Sequence, residues 1–222
     1  MLKQILMIAL IITLSGSSAK AALVISGVMD GPLSGGTPKA VELFATTDIA
    51  DLSVYTLDYY FNANATPSTS ASLSGSLTAG DYYYVTPNET EFSTWFGFAN
   101  DLTGGGSVNG DDSLVLLNSG TVESTFGVPG TDGSGEPWDY LDGWAYRNNN
   151  TTSTSFVLSE WTFSGINALD GETTNSTAAS PVPFGTFEAV SAVPEPSTTI
   201  ALALGGLVGG IQLRRRRRIV AA

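Results

Sequence analysis

Short apolar runs separated by turn-forming clusters extend over most of this 222-residue chain, and they restrict its fold more than any other feature. From residue 23 to residue 161, β-branched and aromatic runs alternate with clusters of Gly, Asn, Asp and Ser. This spacing is typical of short strands joined by tight turns, so it predicts an all-β antiparallel sandwich. The predicted strands cover residues 23–29, 41–45, 56–61, 72–77, 82–86, 113–117, 122–126, 143–147 and 156–161.

Period-two alternation assigns faces to some of these strands. Leu23, Ile25 and Met29 are predicted to share one face of the first strand, because side chains alternate along a strand. Val41 and Leu43 are expected to face the other way from their neighbours.

One short helix is predicted between the strands. The segment from Thr86 to Glu89 has the spacing of a capping box, which marks a helix N-terminus. Phe92, Trp95 and Phe96 follow at positions that form one apolar face. We expect this face to pack into the core; exposed on the surface, it would instead stack on sugar rings.

Cys and His are both absent from the sequence. The chain therefore has no disulfide, no thiolate nucleophile, no imidazole base and no zinc site of the usual kind. Paired carboxylates such as Asp139 and Asp142 match a glycosidase pair only in residue type, since that mechanism needs a substrate cleft. The sequence indicates a protein that is not an enzyme and holds no cofactor, calcium excepted.

The body of the chain is strongly acidic. Residues 22–193 contain Lys39 and Arg147 against 20 carboxylates, a net charge of −18. A surface of this charge repels phosphate backbones, so we expect no binding to nucleic acid. Neutral polymers, soluble cations and other surface proteins remain as partners.

Two acidic loops bear on cation binding: Asn109-Gly110-Asp111-Asp112 and residues 132–136. Oxygen ligands on glycine-rich loops suit calcium, with Asp111 and Asp112 as the metal ligands. Asn-Gly and Asp are also common turn residues, and neither loop has the EF-hand spacing. The sequence leaves both interpretations open.

The N-terminal 21 residues form a predicted signal peptide. Lys3 precedes an apolar run of about ten residues, and Ala19-Lys20-Ala21 is a small-x-small site for signal peptidase. Ten helical residues span about 15 Å, half of a bilayer core, so we expect cleavage rather than anchoring.

The C-terminus has three parts in a fixed order, which start with Val193-Pro194-Glu195-Pro196. The prolines favour an extended segment that a protease can grip. The apolar stretch at 198–213 is a predicted transmembrane helix in the inner membrane, and the arginines after it resist translocation. These arginines are Arg214, Arg215, Arg216, Arg217 and Arg218.

This order of motif, apolar helix and arginine cluster resembles the PEP-CTERM sorting signal of Gram-negative bacteria, over residues 193–218. The resemblance implies recognition by exosortase, cleavage near the motif, and passage from an inner-membrane intermediate to the outer surface or extracellular matrix. It also implies an association with exopolysaccharide and biofilm.

Seven short segments lie in order within residues 22–162: 23–30, 39–44, 51–57, 80–85, 110–117, 142–147 and 159–161. Through these segments, residues 22–162 resemble the lamin tail domain (LTD), an immunoglobulin-like sandwich. Gly27 departs from the family, which often has an acidic residue there. Residues 163–192 are rich in Ser, Thr, Ala, Asn and Pro, and this composition predicts a linker.

The sequence therefore predicts a non-enzymatic surface or matrix protein that is sorted by exosortase. The alternative is a calcium-dependent carbohydrate-binding module or adhesin.

Overall fold

The computed structural model describes residues 21–189, and within them it shows two β-sheets and one short helix. The helix α1 spans Glu89–Phe96, and single 3-10 turns cover Leu52–Val54, Leu158–Glu160 and Asn175–Thr177. The ten strands of this part of the chain are β1 (Leu23–Leu33), β2 (Thr37–Ala45), β3 (Tyr55–Tyr60), β4 (Thr69–Ser72), β5 (Tyr82–Thr86), β6 (Leu102–Thr103), β7 (Ser113–Asn118), β8 (Thr121–Phe126), β9 (Trp144–Arg147) and β10 (Trp161–Phe163).

The strands form a six-stranded sheet in the order β10-β9-β1-β2-β5-β6 and a four-stranded sheet in the order β4-β3-β7-β8. Paired strands are antiparallel throughout residues 21–189, apart from β5 and β6, which run parallel over two residues. The predominance of β-structure with one helix agrees with the predicted fold class. The sequence does not predict β6, because two residues carry no alternating pattern.

A hydrophobic core contains inward-facing side chains of both sheets. Ile25 and Leu43 come from the six-stranded sheet, and Leu57, Leu116 and Phe126 come from the four-stranded sheet. All five are fully buried. Burial of each such side chain contributes about 1.5–3 kcal/mol, which is the main favourable term for joining the sheets.

A β-bulge in β1 changes which side chains face this core. The pairing with β2 shifts between Ile25 and Gly27, so that Ser26 is the extra residue opposite Glu42. Leu23 and Ile25 lie in the core between the sheets, but Met29 lies in a second cluster on the outer face of the six-stranded sheet. The prediction that Met29 shares a face with Leu23 is therefore wrong, since a bulge reverses the alternation.

Helix α1 begins two residues later than a capping box at Thr86 would require. The Thr86 hydroxyl donates to the Lys39 carbonyl at 2.6 Å and accepts the Asn88 N–H at 3.0 Å, and Asn88 is the N-cap. Phe92 and Trp95 are buried, as predicted for the core-facing stripe. The helix ends at Gly97, whose φ of 79° is a left-handed conformation that glycine adopts without strain.

Several strand boundaries differ from prediction. Strand β1 ends at Leu33 rather than at residue 29, and β2 begins at Thr37 rather than at residue 41. Strand β4 ends at Ser72, and the predicted residues beyond it form a loop in which Leu77 makes one isolated bridge to Ile49. Strand β10 begins at Trp161, because the residues before it form the 3-10 turn Leu158–Glu160.

Residues 164–189, named the strap below, pack against the outer face of the six-stranded sheet. Leu169, Val182 and Phe187 are buried there in one cluster with Val24 and Trp144. The predicted linker at 163–192 is therefore wrong for the part described: residue 163 ends β10, and the rest form the strap. Its few apolar anchors have irregular spacing, so the polar composition conceals them.

Candidate functional site

The residues with the clearest predicted role lie outside the described range of 21–189. These are Ala19 of the signal cleavage site, the motif Val193-Pro194-Glu195-Pro196, the apolar stretch and the arginine cluster. Ala21 is described and buried, and its carbonyl accepts a hydrogen bond from the Thr46 hydroxyl at 2.5 Å. Four sites in the folded part remain as candidates: the strap attachment, the ion pairs of Arg147 and Lys39, and the acidic loop.

The strap attachment is built around Glu42, a fully buried carboxylate on β2. One of its oxygens accepts hydrogen bonds from the Ser26 hydroxyl at 2.7 Å and from the Tyr146 hydroxyl at 2.9 Å. The other oxygen accepts the backbone N–H of Gly185 in the strap. Glu42 therefore connects three segments that lie far apart in the chain.

Gly27, which follows the bulge in β1, leaves the space for this attachment. A Cβ atom on Gly27 would lie 2.6 Å from Cε1 of Phe184 and 2.7 Å from Cδ2 of Tyr146. Such distances are sterically forbidden, so the absence of a side chain allows both rings to lie over the strand. This close packing explains why position 27 is a glycine.

The Tyr146 hydroxyl continues the network into the strap. It accepts the N–H of Thr186 at 3.1 Å and the N–H of Phe187 at 2.7 Å. The Tyr82 hydroxyl donates to the Phe187 carbonyl at 2.8 Å. The carbonyl of the following residue, Glu188, accepts a hydrogen bond from the Asn150 N–H at 2.7 Å. Backbone groups from residue 185 to residue 188 are thus tied to the sheet and its loops.

Burial dominates the electrostatics of Glu42. Desolvation raises its pKa to about 7, although the hydrogen bonds from Ser26, Gly185 and Tyr146 act in the opposite direction. No basic side chain of residues 21–189 pairs with it. The attachment therefore contains a carboxyl group that titrates near neutral pH.

Aromatic rings surround the strap attachment. Phe184 of the strap stacks on Phe96 of α1 with centroids 5.2 Å apart and planes at 9°. Tyr84 and Phe98 are in ring contact at 5.0 Å, and Phe98 is 40% exposed. Phe92 and Trp95 of the helix are thus buried, whereas Phe96 is partly exposed and Phe98 is exposed to solvent.

The body's one arginine, Arg147, joins the two sheets. Its Nε donates to the Ile25 carbonyl at 2.9 Å, and its guanidinium carbon lies 4.7 Å above the Trp161 ring. Its other nitrogens contact Glu160 at 3.1 Å and the Ser124 hydroxyl at 3.3 Å. Burial lowers the pKa of Arg147 to about 10, and the charge of Glu160 opposes that shift. Sequence reasoning missed this role, because the residue ends an ordinary strand pattern.

A second buried charged pair joins β1 and β2. The Lys39 ammonium forms a salt bridge with Oδ1 of Asp30, and the two residues are direct partners across the strands. Oδ2 of Asp30 accepts the Asp142 N–H at 3.2 Å. Burial raises the pKa of Asp30 to about 6 even though Lys39 lowers it. Opposite charges inside two neighbouring apolar runs were the sequence signal for this pair.

The acidic loop contains the two predicted calcium ligands. Asp112 is buried, and its oxygens accept the Asn62 N–H at 2.8 Å and the Asn109 N–H at 3.1 Å. Asp111 accepts a hydrogen bond from the Ser134 hydroxyl at 2.9 Å, so the structure brings the two acidic loops together. Burial raises the pKa of Asp112 to about 6.

These carboxylates serve as acceptors for turns and loops. Across residues 21–189, no three acidic side chains come together in a group that could hold a metal ion. The calcium site at Asp111 and Asp112 stays a prediction.

Comparison with known families assigns the tail. Residues 192–218 match the PEP-CTERM protein-sorting motif, in agreement with the predicted range of 193–218. No curated protein matches the chain significantly, and no solved structure does so either. Within residues 21–189, no helix has the length and apolar character of a membrane span.

The sorting motif defines the class of protein. A chain with this motif is exported across the membrane of a Gram-negative bacterium to the cell surface, with exosortase as the processing partner.

Proposed function

We propose that this chain is a non-enzymatic surface or extracellular-matrix protein whose body is a lamin-tail-like, immunoglobulin-like sandwich. Signal peptidase removes residues 1–21, and exosortase then cleaves near Pro194-Glu195-Pro196. The mature protein contributes to exopolysaccharide or biofilm contacts through neutral polymers or other surface proteins.

One observation carries this proposal: the sorting motif follows the folded domain almost directly. The backbone of Glu188 is still hydrogen-bonded to the Asn149 side chain and the Asn150 N–H, and the matched motif begins at residue 192. Cleavage at the motif therefore yields a folded domain with only a short C-terminal extension. The acidic body and the absence of His and Cys also favour a binding or structural role over catalysis.

The sorting step is tested by replacing Pro194 and Glu195 with alanine in the full chain, expressed in its host. We expect the intact C-terminal tail to persist in the variant and the protein to accumulate in the inner membrane. Mass spectrometry of the C-terminus and cell fractionation measure both effects.

A matched control is available in the folded domain. Glu136 and Pro137 are the same residue types on an exposed loop, and their replacement with alanine should leave tail removal unchanged. Normal processing of the Pro194→Ala, Glu195→Ala variant would contradict the proposal, as would recovery of the uncleaved wild type from the cytosol alone.

Carbohydrate binding is the second candidate function, and the exposed rings beside the strap favour it. Tyr84, Phe96 and Phe184 are partly exposed and Phe98 is exposed, a combination suited to stacking on sugar rings. A glycan array with and without calcium measures this activity. Binding that is lost in Phe98→Ala supports this candidate, whereas an array without signal removes it.

A further inference from the structure

The hairpin between β1 and β2 holds a lysine and an aspartate in contact and away from water. Asp30 and Lys39 are Cα partners, so their side chains extend from the same face of the sheet. The Lys39 ammonium lies against Oδ1 of Asp30, and the side chains are only 10% and 1% exposed, respectively. Lys39 is the one lysine in the body of the chain.

The surroundings of this pair enclose it. A Cβ atom on Gly36 would lie 3.0 Å from Nζ of Lys39, so the turn of the hairpin closes directly over the amine. Asp142 donates its backbone N–H to Oδ2 of Asp30 at 3.2 Å and polarises the carboxyl group. Burial raises the pKa of Tyr140, and the charges of Asp112 and then Asp30 raise it further; the Tyr140 hydroxyl has no hydrogen-bond partner among the described residues.

We propose that Lys39 and Asp30 condense to form an intramolecular isopeptide bond that crosslinks β1 to β2. The chain has no cysteine, so a disulfide cannot supply a covalent crosslink in this exported protein. An amide between a lysine and an aspartate supplies one without an oxidant.

The reaction balances with the groups present. A proton passes from the Lys39 ammonium to Oδ1 of Asp30, which leaves a neutral amine and a carboxylic acid. Nζ attacks Cγ, and the Asp142 N–H stabilises the negative charge that develops on Oδ2. A second proton moves from nitrogen to Oδ1, the Cγ–Oδ1 bond breaks and water departs. The products are one amide and one water molecule.

Proximity and exclusion of water make this condensation favourable where free reactants would not react. Well-oriented intramolecular groups reach effective concentrations on the order of 10⁵–10⁸ M. Burial also favours the neutral form of the Asp30 carboxyl group, whose pKa it raises to about 6. The inference rests on this pair alone and does not depend on the proposed function.

Trypsin digestion of the exported, denatured wild-type protein tests the bond. The mature body has two tryptic sites, Lys39 and Arg147. An isopeptide bond at Lys39 blocks cleavage there, so the peptide that ends at Arg147 should begin at the mature N-terminus. Its mass should be lower than the calculated mass by one water.

Lys39→Arg is the matched control, because arginine keeps the positive charge and the tryptic site but cannot form the amide. This variant should have its full mass and should be cut after residue 39. Full mass and complete cleavage at Lys39 in the wild type would overturn the proposal. Loss of water that persists in Lys39→Arg would also overturn it, since that result indicates a succinimide at Asp30-Gly31.

Discussion

Glu42 is the residue whose environment departs furthest from that of a typical surface carboxylate. Sequence alternation within β2 places it opposite the core, where a strand of an isolated sheet would meet solvent. The strap covers that face, so the carboxylate is buried among Ser26, Tyr84, Tyr146 and the Gly185 N–H. Each of these groups is neutral, so desolvation outweighs their hydrogen bonds and raises the pKa of Glu42.

Glu42→Gln tests how much the burial of this ionisable carboxyl group destabilises the folded protein. The pKa of Glu42 is about 7 in the folded protein, whereas an unperturbed glutamate has a pKa of 4.5, so the unfolded chain releases its proton first as the pH rises. The free energy of unfolding should therefore fall between pH 4.5 and pH 7. Glutamine removes this contribution, worth roughly 3 kcal/mol, and leaves a shallower slope.

Urea unfolding at about pH 5 and pH 8 measures how the free energy of unfolding changes with pH in the wild type and in Glu42→Gln. Asp112, whose pKa burial also raises, contributes in the same direction in both proteins, so only the difference reports on Glu42. Glu136→Gln on an exposed loop is the control and should keep the wild-type slope. Equal slopes for Glu42→Gln and the wild type would show that Glu42 carries no such cost.

The strap is the element that distinguishes this domain from two sheets alone. It covers the outer face of the six-stranded sheet through Leu169, Val182 and Phe187, and its backbone is hydrogen-bonded near its end. A linker would leave that apolar face exposed to water. The strap is therefore part of the fold, and the domain extends at least to residue 188.

Phe187→Ala is expected to detach the strap. Phe187 is fully buried and its ring contacts Phe44 at 5.0 Å, so truncation should destabilise the domain by about 3–5 kcal/mol. Phe98→Ala is the matched control, since that ring is 40% exposed and its loss should cost about 1 kcal/mol. Chemical denaturation measures both values.

Limited proteolysis locates the effect. Cleavage within residues 164–189 should be slow in the wild type and in Phe98→Ala, and fast in Phe187→Ala. Equal cleavage of all three proteins in this region would mean that the strap is not held by the sheet.

Charge is the feature that belongs to the whole molecule. Two basic residues face 20 carboxylates in residues 22–193, and both are buried within ion pairs. The surface is therefore almost purely acidic, and self-repulsion opposes folding at low ionic strength. This charge also keeps copies of the domain apart and disfavours contact with anionic polymers.

Salt should therefore raise the melting temperature of the domain. Sodium chloride screens repulsion among surface carboxylates over a Debye length of about 10 Å at 0.1 M, so the shift should grow with ionic strength. Calcium and magnesium chlorides at equal concentration form a matched pair for the acidic loop. Equal shifts are expected from general screening, whereas an additional shift with calcium that is lost in Asp111→Ala would establish the calcium site.

Local patterns were enough to predict the strands that carry clear alternation, the buried stripe of α1 and the sorting motif. Each depends on residues close together in sequence: Phe92 and Trp95 on one helix face, or the proline pair before the apolar stretch. The bulge at Ser26 and the strand β6 were missed, because neither has a repeating pattern.

The sequence by itself determined the class of structure, the acidic character and the exported destination, because strand propensity, charge and the sorting motif are local properties. The tertiary structure alone decided that the segment after β10 folds onto the sheet and that Glu42 and Lys39 lose their contact with water. Burial depends on which distant segments pack together. Gly27 and Phe184 are 157 positions apart in the sequence, and only the folded chain brings them into contact. No local sequence pattern predicts this contact.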